Sequence, residues 1–375
     1  MDFELDEEQQ MLRDTTRELL SRSYDAEKRN AMVRTELGWS RDVWGKLAEL
    51  GLLGLSFAEE DGGMGAGPVE TMAVMTEVGR RLAPEPILDC VLLPGGLVAE
   101  AGTSRQRKEV LSQVAAGTVL LAFAHSEPGR RWPSAEITTV AVQQGDSWSI
   151  SGVKNPVPHG DCADRLVVSA ALPNGGTGLF LVDGNVAGLL RRPFRTHDGG
   201  RGAQLEFTGA TAELLGDDTD STARIERAVI GAQAALCAEA VGAMEESLRL
   251  TTEYLRTRKQ FGVTLSKFQT LTQRAADMYV SLEAARSMAL YATACLADGR
   301  VDAVVASRAK LQIGLSAKHI GQESIQMHGG IGMTAEYPVG HYFARLTAID
   351  QTFGAADDHL RVLSAGIADY GMVEL

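Results

Sequence analysis

The chain has 375 residues, 45% hydrophobic and 23% charged, with a formal net charge of −13. That length holds a large core and two or three domains, and the composition is that of an ordinary globular protein. The charge argues against nucleic-acid binding through the overall field, and no uninterrupted apolar run approaches the ~20 residues that span a bilayer.

The acidic start, Met1-Asp2-Phe3-Glu4-Leu5-Asp6, lacks the positive charge and apolar run of a secretory signal, so a cytoplasmic protein is expected. Asp6 to Arg22 reads as an amphipathic helix with Leu12, Leu19 and Leu20 inward. Ser40 is a candidate N-cap for a helix over Arg41 to Leu50, which Gly51 closes. After the glycine-rich loop Glu59 to Gly65, a helix is expected from Pro68 to Leu82. Near Val119 the period changes. Short apolar runs at 119–123, 138–142, 148–150, 166–168 and 179–182, separated by Gly, Pro, Asp and Asn, read as strands. Gln144-Gly145-Asp146-Ser147 is a hairpin turn between two of them. Thr222 to Arg258 reads as one long helix, with Asp217, Asp218 and Asp220 at its positive end. The next helix follows Thr264 and carries the packing stripe Leu265, Phe268, Leu271, Ala275, Met278 and Leu282. The expected order is an N-terminal helical domain (1–117), a β-domain (118–219) and a C-terminal helical bundle (220–375). Cys90, Cys162, Cys237 and Cys295 are far apart and without metal-ligand spacing, so neither a disulfide framework nor a zinc site is expected. Arg130-Arg131 and Arg191-Arg192 read as solvated faces.

Two segments carry chemistry. One is Tyr254-Leu255-Arg256-Thr257-Arg258-Lys259-Gln260-Phe261-Gly262, continuing to Phe268 and Gln269. The other is Gln326-Met327-His328-Gly329-Gly330-Ile331-Gly332, continuing to Glu336, Tyr337 and Pro338. Alone, Arg258 serves equally well to neutralise a helix carboxyl end, and Gly329-Gly330 to end a helix. Together, in this domain order, they resemble the acyl-CoA dehydrogenase family over essentially the whole chain. The resemblance implies a mainly α fold: N-terminal helices, a central β-barrel and a C-terminal four-helix bundle. It also implies FAD, bound at Arg258, Gln260, Phe261, Phe268, Gln326, His328, Gly329 and Gly330, with several of these reaching a neighbouring subunit's flavin. The residue types suit that task. A guanidinium forks onto phosphate oxygens, an aromatic ring covers adenine, and glycines admit the cofactor to backbone N–H groups.

The family desaturates acyl-CoA with a glutamate as base, at one of two positions. Aligned from Arg345, the commoner position falls on Gly354, within Gln351-Thr352-Phe353-Gly354-Ala355-Ala356. Counted back from Arg258, the other falls on Ala232, followed by Gln233. Glu226, Glu239, Asp350, Asp357 and Asp358 are the nearby carboxylates, and no catalytic residue is assigned in this chain. The β-domain departs as well. Ser126-Glu127-Pro128 is followed by Gly129-Arg130-Arg131-Trp132, and Gly152-Val153-Lys154 runs into Asn155-Pro156-Val157-Pro158-His159, where two prolines replace an aromatic and a hydroxyl donor. Asp161, Ala163 and Asp164 keep the family pattern. Some members, notably in sterol side-chain breakdown in actinobacteria, are α2β2 heterotetramers in which one chain holds flavin and base and the other completes that site. This chain resembles the second kind, which implies a base-bearing partner, an acyl-CoA substrate and electron-transfer flavoprotein as acceptor. Two rival readings are a self-sufficient homotetramer with a base at Asp357 or Asp358, and a flavin-free structural or acyl-CoA-binding member of the fold.

Overall fold

The computed structural model describes residues 5–130, 132, 136–145, 147–217 and 220–367; Met1 to Glu4, Arg131, Asp146 and Asp218 of the segments read above lie outside them. Helix α1 (Glu7–Ser23) opens on a capping box, with Asp6 accepting from the Gln9 amide at 2.8 Å and Gln9 accepting in return. Its buried residues are Thr16 and Leu20, with Leu12 and Leu19 half-buried. A short α2 (Ala26–Val33) follows, which periodicity did not reveal because it has almost no apolar face. The Ser40 hydroxyl accepts from the Val43 amide to start α3 (Arg41–Glu49), and Gly51, at φ 75, turns the chain away. Next come α4 (Pro68–Arg81), a π-helical turn at Leu88–Leu92 leading into α5 (Leu93–Ala101), and α6 (Ser104–Ala115).

Among the described residues seven strands succeed them: β1 (Leu121–Ala124), β2 (Val140–Gln144), β3 (Ser147–Pro158), β4 (Arg165–Ala171), β5 (Thr177–Asp183), β6 (Leu189–Arg195) and β7 (Arg201–Leu214). The pairing β4–β5–β7–β3–β2 closes back on β4 through a bridge between Val140 and Ala171, making a small barrel. Strand β1 lies beside β4, and β6 beside β7. Strand β3 is much longer than the apolar run at 148–150 because it continues through Pro156 and Pro158. A register shift between Lys154 and Val157 takes up Pro156, where a missing N–H breaks no regular pairing. Among the described residues strand β6 pairs with β7 alone, and its half-buried or exposed residues give no apolar alternation to read; Pro193 is tolerated on such an edge. Trp148, Ile150, Leu166, Phe180, Leu205 and Phe207 fill the barrel.

Helix α7 (Thr222–Thr257) leads into a two-stranded hairpin, β8 (Lys259–Gln260) and β9 (Val263–Thr264). Then come α8 (Gln269–Ala297), α9 (Ala303–His328), α10 (Val339–Gln351) and α11 (Ala356–Ala365), with α8, α10 and α11 grouping around α9. Among the described residues α7 is the one helix long and apolar enough to cross a membrane, and 78% of its most apolar window is buried inside the protein, as in a core helix.

By contacts the chain divides into two compact units, one of residues 31–67 and 84–232, the other of residues 1–30, 68–83 and 233–375. The second unit thus joins α1 and α4 to the C-terminal bundle, and two devices hold them there. Alternating charges run through four helices: buried Glu77 accepts from Arg17 at 2.7 Å and from Arg80 at 3.1 Å, Arg80 pairs with Glu245, and Glu245 accepts from Arg286 at 2.5 Å. Glycines also let α4 and α7 touch backbone to backbone. A Cβ on Gly79 would lie 1.8 Å from the Glu239 carbonyl oxygen, and one on Gly242 would lie 1.8 Å from that of Thr76. Gly242→Ala is therefore expected to destabilise the protein by about 1–3 kcal/mol through overpacking, although alanine is the better helix former by ~1 kcal/mol. A denaturation midpoint at or above that of the wild type would show that the helices part freely.

Candidate functional site

The last turn of α7 delivers Arg258 to the hairpin. Its backbone is fixed at both ends: its N–H donates to Tyr254 O at 2.9 Å and its carbonyl accepts from Leu265 at 2.9 Å. Its exposed guanidinium has no hydrogen bond or ion pair among the described residues. Phe261, at φ 53, projects from the tip with 91% of its surface exposed, edge-on to half-buried Phe268 at 6.2 Å. Gln260 is exposed and donates to the Lys259 carbonyl at 2.8 Å.

Helix α9 ends on the second motif. Gln326 is exposed on its last turn, and Gly329 breaks the helix at φ 65. Gly330 has neither a left-handed backbone nor a crowding neighbour, since a Cβ there would meet nothing within 4 Å. A glycine that the chain itself does not require fits a surface meant to admit something from outside. His328 lies inside, 4% exposed, donating from Nδ1 to the Ser324 carbonyl at 2.7 Å. Burial lowers its pKa, against the pull of the Ser324 and Leu250 carbonyls, so the ring is neutral. Its ring packs on Tyr254 at 4.6 Å and Tyr337 at 4.8 Å, bringing the two motifs together. Deeper in, Ser324 Oγ meets Ser247 Oγ at 2.8 Å and accepts from Thr251 at 3.2 Å. Sequence reasoning passed over Tyr254 and Tyr337 as members of the set, although both stand in the motifs.

No carboxylate is offered at the turn between α10 and α11. Gly354 is buried at φ 97, after Phe353 at φ 54. The Phe353 carbonyl accepts from Gln233 Nε2 at 3.0 Å and His359 Nε2 at 3.1 Å. Asp350 accepts from the Ala356 amide at 3.1 Å, and Asp358 accepts from that of Ala355 at 3.1 Å while pairing with Arg361 at 2.7 Å. Both are helix-cap carboxylates. Asp357 and Glu226 are exposed, and Glu239 is buried in a two-pronged ion pair with Arg345 at 2.6 and 3.0 Å. Lys310 went unnoticed in the sequence. Buried on α9, it donates to the Ile349 carbonyl at 2.6 Å and so steadies the end of α10.

In the barrel, Glu127 and Lys154 meet in a buried ion pair at 2.8 Å. Glu127 also accepts from Thr138 N (2.7 Å), Thr138 Oγ1 (2.5 Å) and Thr139 N (2.9 Å), while Lys154 also donates to His125 O at 3.0 Å and Ser169 Oγ at 3.2 Å. The signal available in the sequence was a lone lysine in β3 and a glutamate three residues past the apolar run of β1. Asp161 is held by Arg201 at 2.6 Å, and Asp164 accepts from the Leu120 amide at 2.8 Å; both are structural.

Comparison with known proteins agrees with this arrangement. Models of the acyl-CoA dehydrogenase N-terminal and C-terminal domains match residues 6–118 and 224–368. The chain is 30% identical to acyl-CoA dehydrogenase IpdE2 of Mycobacterium tuberculosis, over 96% of this chain and 98% of that protein. A solved structure of a Tcur3481-Tcur3483 steroid ACAD variant superposes with a TM-score of 0.89 at 32% identity, covering 97% of this chain and 98% of that one. The ChsE4-ChsE5 complex from Mycobacterium tuberculosis gives a TM-score of 0.90 at 26% identity, covering 99% of this chain and 100% of that one. The chain belongs to the acyl-CoA dehydrogenase family, whose cofactor is FAD. The hairpin and Gly330 face fits the diphosphate and adenosine end of that cofactor: an unpaired guanidinium, an exposed ring and open glycines. The barrel face fits the flavin ring poorly, because Pro156 and Pro158 have no N–H to donate.

Proposed function

We propose that this chain is the non-base subunit of a heteromeric α2β2 acyl-CoA dehydrogenase and completes the FAD site of a base-bearing partner. In this reading Arg258 holds the diphosphate, Phe261 and Phe268 cover the adenosine end, and Gln260 and Gln326 hydrogen-bond the cofactor. Gly329 and Gly330 let it approach the backbone, and His328 lies beneath that turn. The observation that carries the reading is the contrast between the two halves of the site: the Arg258 face is exposed and unpaired, while Gly354 and Ala232 provide no carboxylate. Desaturation requires a base within about 3 Å of the thioester α-proton, with the bound flavin supplying hydride acceptance from the β-carbon. Asp350, Asp358 and Glu239 are already committed to caps and an ion pair, which weighs against a relocated base. The steroid ACAD and the two-component ChsE4-ChsE5 complex among the structural neighbours support the heteromeric assembly and a sterol or lipid side-chain substrate. Electron-transfer flavoprotein is the acceptor in this proposal.

The test is an FAD titration of complexes made by co-expression with the chain encoded alongside. Charge-assisted hydrogen bonds contribute roughly 1.5–3 kcal/mol each, and 1.4 kcal/mol is a decade, so Arg258→Ala should raise the FAD dissociation constant about ten- to a hundred-fold. Subunit association should loosen in parallel when FAD is limiting. Unchanged affinity would mean that Arg258 merely finishes its helix.

A further inference from the structure

We propose that Tyr254, His328 and Tyr337 form an aromatic clamp that holds the Arg258 hairpin and the Gly329–Gly330 turn in one register, so that both meet a single cofactor. The inference rests on the cross-subunit FAD site proposed above and assigns its positioning residues.

The two motifs come from different helices, and their outward ends are open: nothing lies within 4 Å of a Cβ built at Gly262, Gly329 or Gly330. What relates them is the ring cluster. Tyr254 stands one turn before Arg258 and its backbone carbonyl accepts the Arg258 N–H at 2.9 Å, so packing on the Tyr254 ring steadies the helical turn from which the arginine leaves. His328 immediately precedes the glycine turn, and Tyr337 stands just ahead of α10. The three rings are mutually in contact, at 4.6 Å, 4.8 Å and 6.2 Å between centroids, in tilted and edge-on geometries that aromatic pairs prefer. His328 is oriented by its Nδ1 bond to Ser324, and Ser324 by its own contacts to Ser247 and Thr251 on α7. A chain of contacts therefore runs from α7 through α9 and returns to α7 beneath the exposed face. Ligand groups held within fractions of an ångström by such a support bind more tightly than groups free to wander.

The experiment compares FAD affinity, read by flavin fluorescence, in co-expressed complexes carrying Tyr254→Leu, Tyr254→Phe, Tyr337→Leu or Arg258→Ala. Thermal midpoints are taken without added FAD. The clamp predicts about a tenfold rise in dissociation constant for Tyr254→Leu and Tyr337→Leu, and near-native affinity for Tyr254→Phe, which keeps the ring. Tyr254 and Tyr337 are both half-buried and stand on different segments, so either leucine variant remains informative if the other does not fold. Lowered midpoints with unchanged FAD affinity in the leucine variants would reduce the cluster to ordinary packing and overturn the clamp. If Arg258→Ala weakens binding while the leucine variants do not, only the clamp falls. If Arg258→Ala also leaves binding unchanged, the cross-subunit reading falls and the clamp with it.

Discussion

Lys154→Met is expected to destabilise the barrel-containing unit by about 3–5 kcal/mol at neutral pH, because it leaves the Glu127 carboxylate buried without its counter-charge. Burial alone would raise the pKa of Glu127, but the Lys154 ammonium and the Thr138 and Thr139 donors outweigh it and hold the value at about 2. A carboxylate whose pKa lies lower folded than unfolded contributes stability above the unfolded value of 4.5, and that contribution is lost as pH falls from 4.5 towards 2. The wild type should therefore weaken through that window. Without Lys154, burial pushes Glu127 upward, so the deficit of Lys154→Met should shrink on acidification. A double variant, Glu127→Leu with Lys154→Met, should lose less than the single one, since no charge remains stranded. Denaturant midpoints of the three proteins at pH 7 and pH 4 test this, and a single variant as stable as the wild type at pH 7 would refute it.

The isolated chain should turn over acyl-CoA substrates at least 10²–10⁴-fold more slowly than a complete dehydrogenase, the usual worth of a positioned general base. Gly354→Glu should not repair this. At φ 97 the backbone of residue 354 is one that a side-chain-bearing residue adopts only with strain of about 1–3 kcal/mol, and the neighbouring Phe353 carbonyl is pinned by Gln233 and His359. A new carboxylate would arrive on a turn held in a glycine's conformation. Steady-state dye reduction with a range of acyl-CoA thioesters reads the outcome. Brisk turnover by the wild-type chain alone, or by Gly354→Glu alone, would show a competent site and end the subunit proposal.

What the sequence made legible was local. The start of α3 follows from Ser40 and its end from Gly51, because a cap is a contact between residues three or four apart. The Arg258 and Gly329 segments were legible as motifs because their residue types are unusual together. Strands β6 and β7 were hidden, since β6 is an edge strand rich in arginine and its partner is defined only by pairing. Also hidden were the contacts that decide which carboxylates are available. Glu239 pairs with Arg345 across 106 positions, and Glu127 with Lys154 across 27, separations at which periodicity carries no information. The same holds for Gly242, which reads as a weak spot in a helix until Thr76 is found against it.

The backbone contact between α4 and α7 also sets an order of events during synthesis. Helices α1 and α4 leave the ribosome early, yet the surface they pack against, with Gly242 and Glu245, is made more than a hundred residues later. At elongation rates of about 5–20 residues per second, the apolar side of α4 and the buried Glu77 wait on the order of ten to thirty seconds for their counterparts. The barrel strands, all encoded between those helices and the bundle, close in the meantime. Helices α1 and α4 are thus made well before the helix that secures them, and during that interval chaperones have their opportunity to engage the chain.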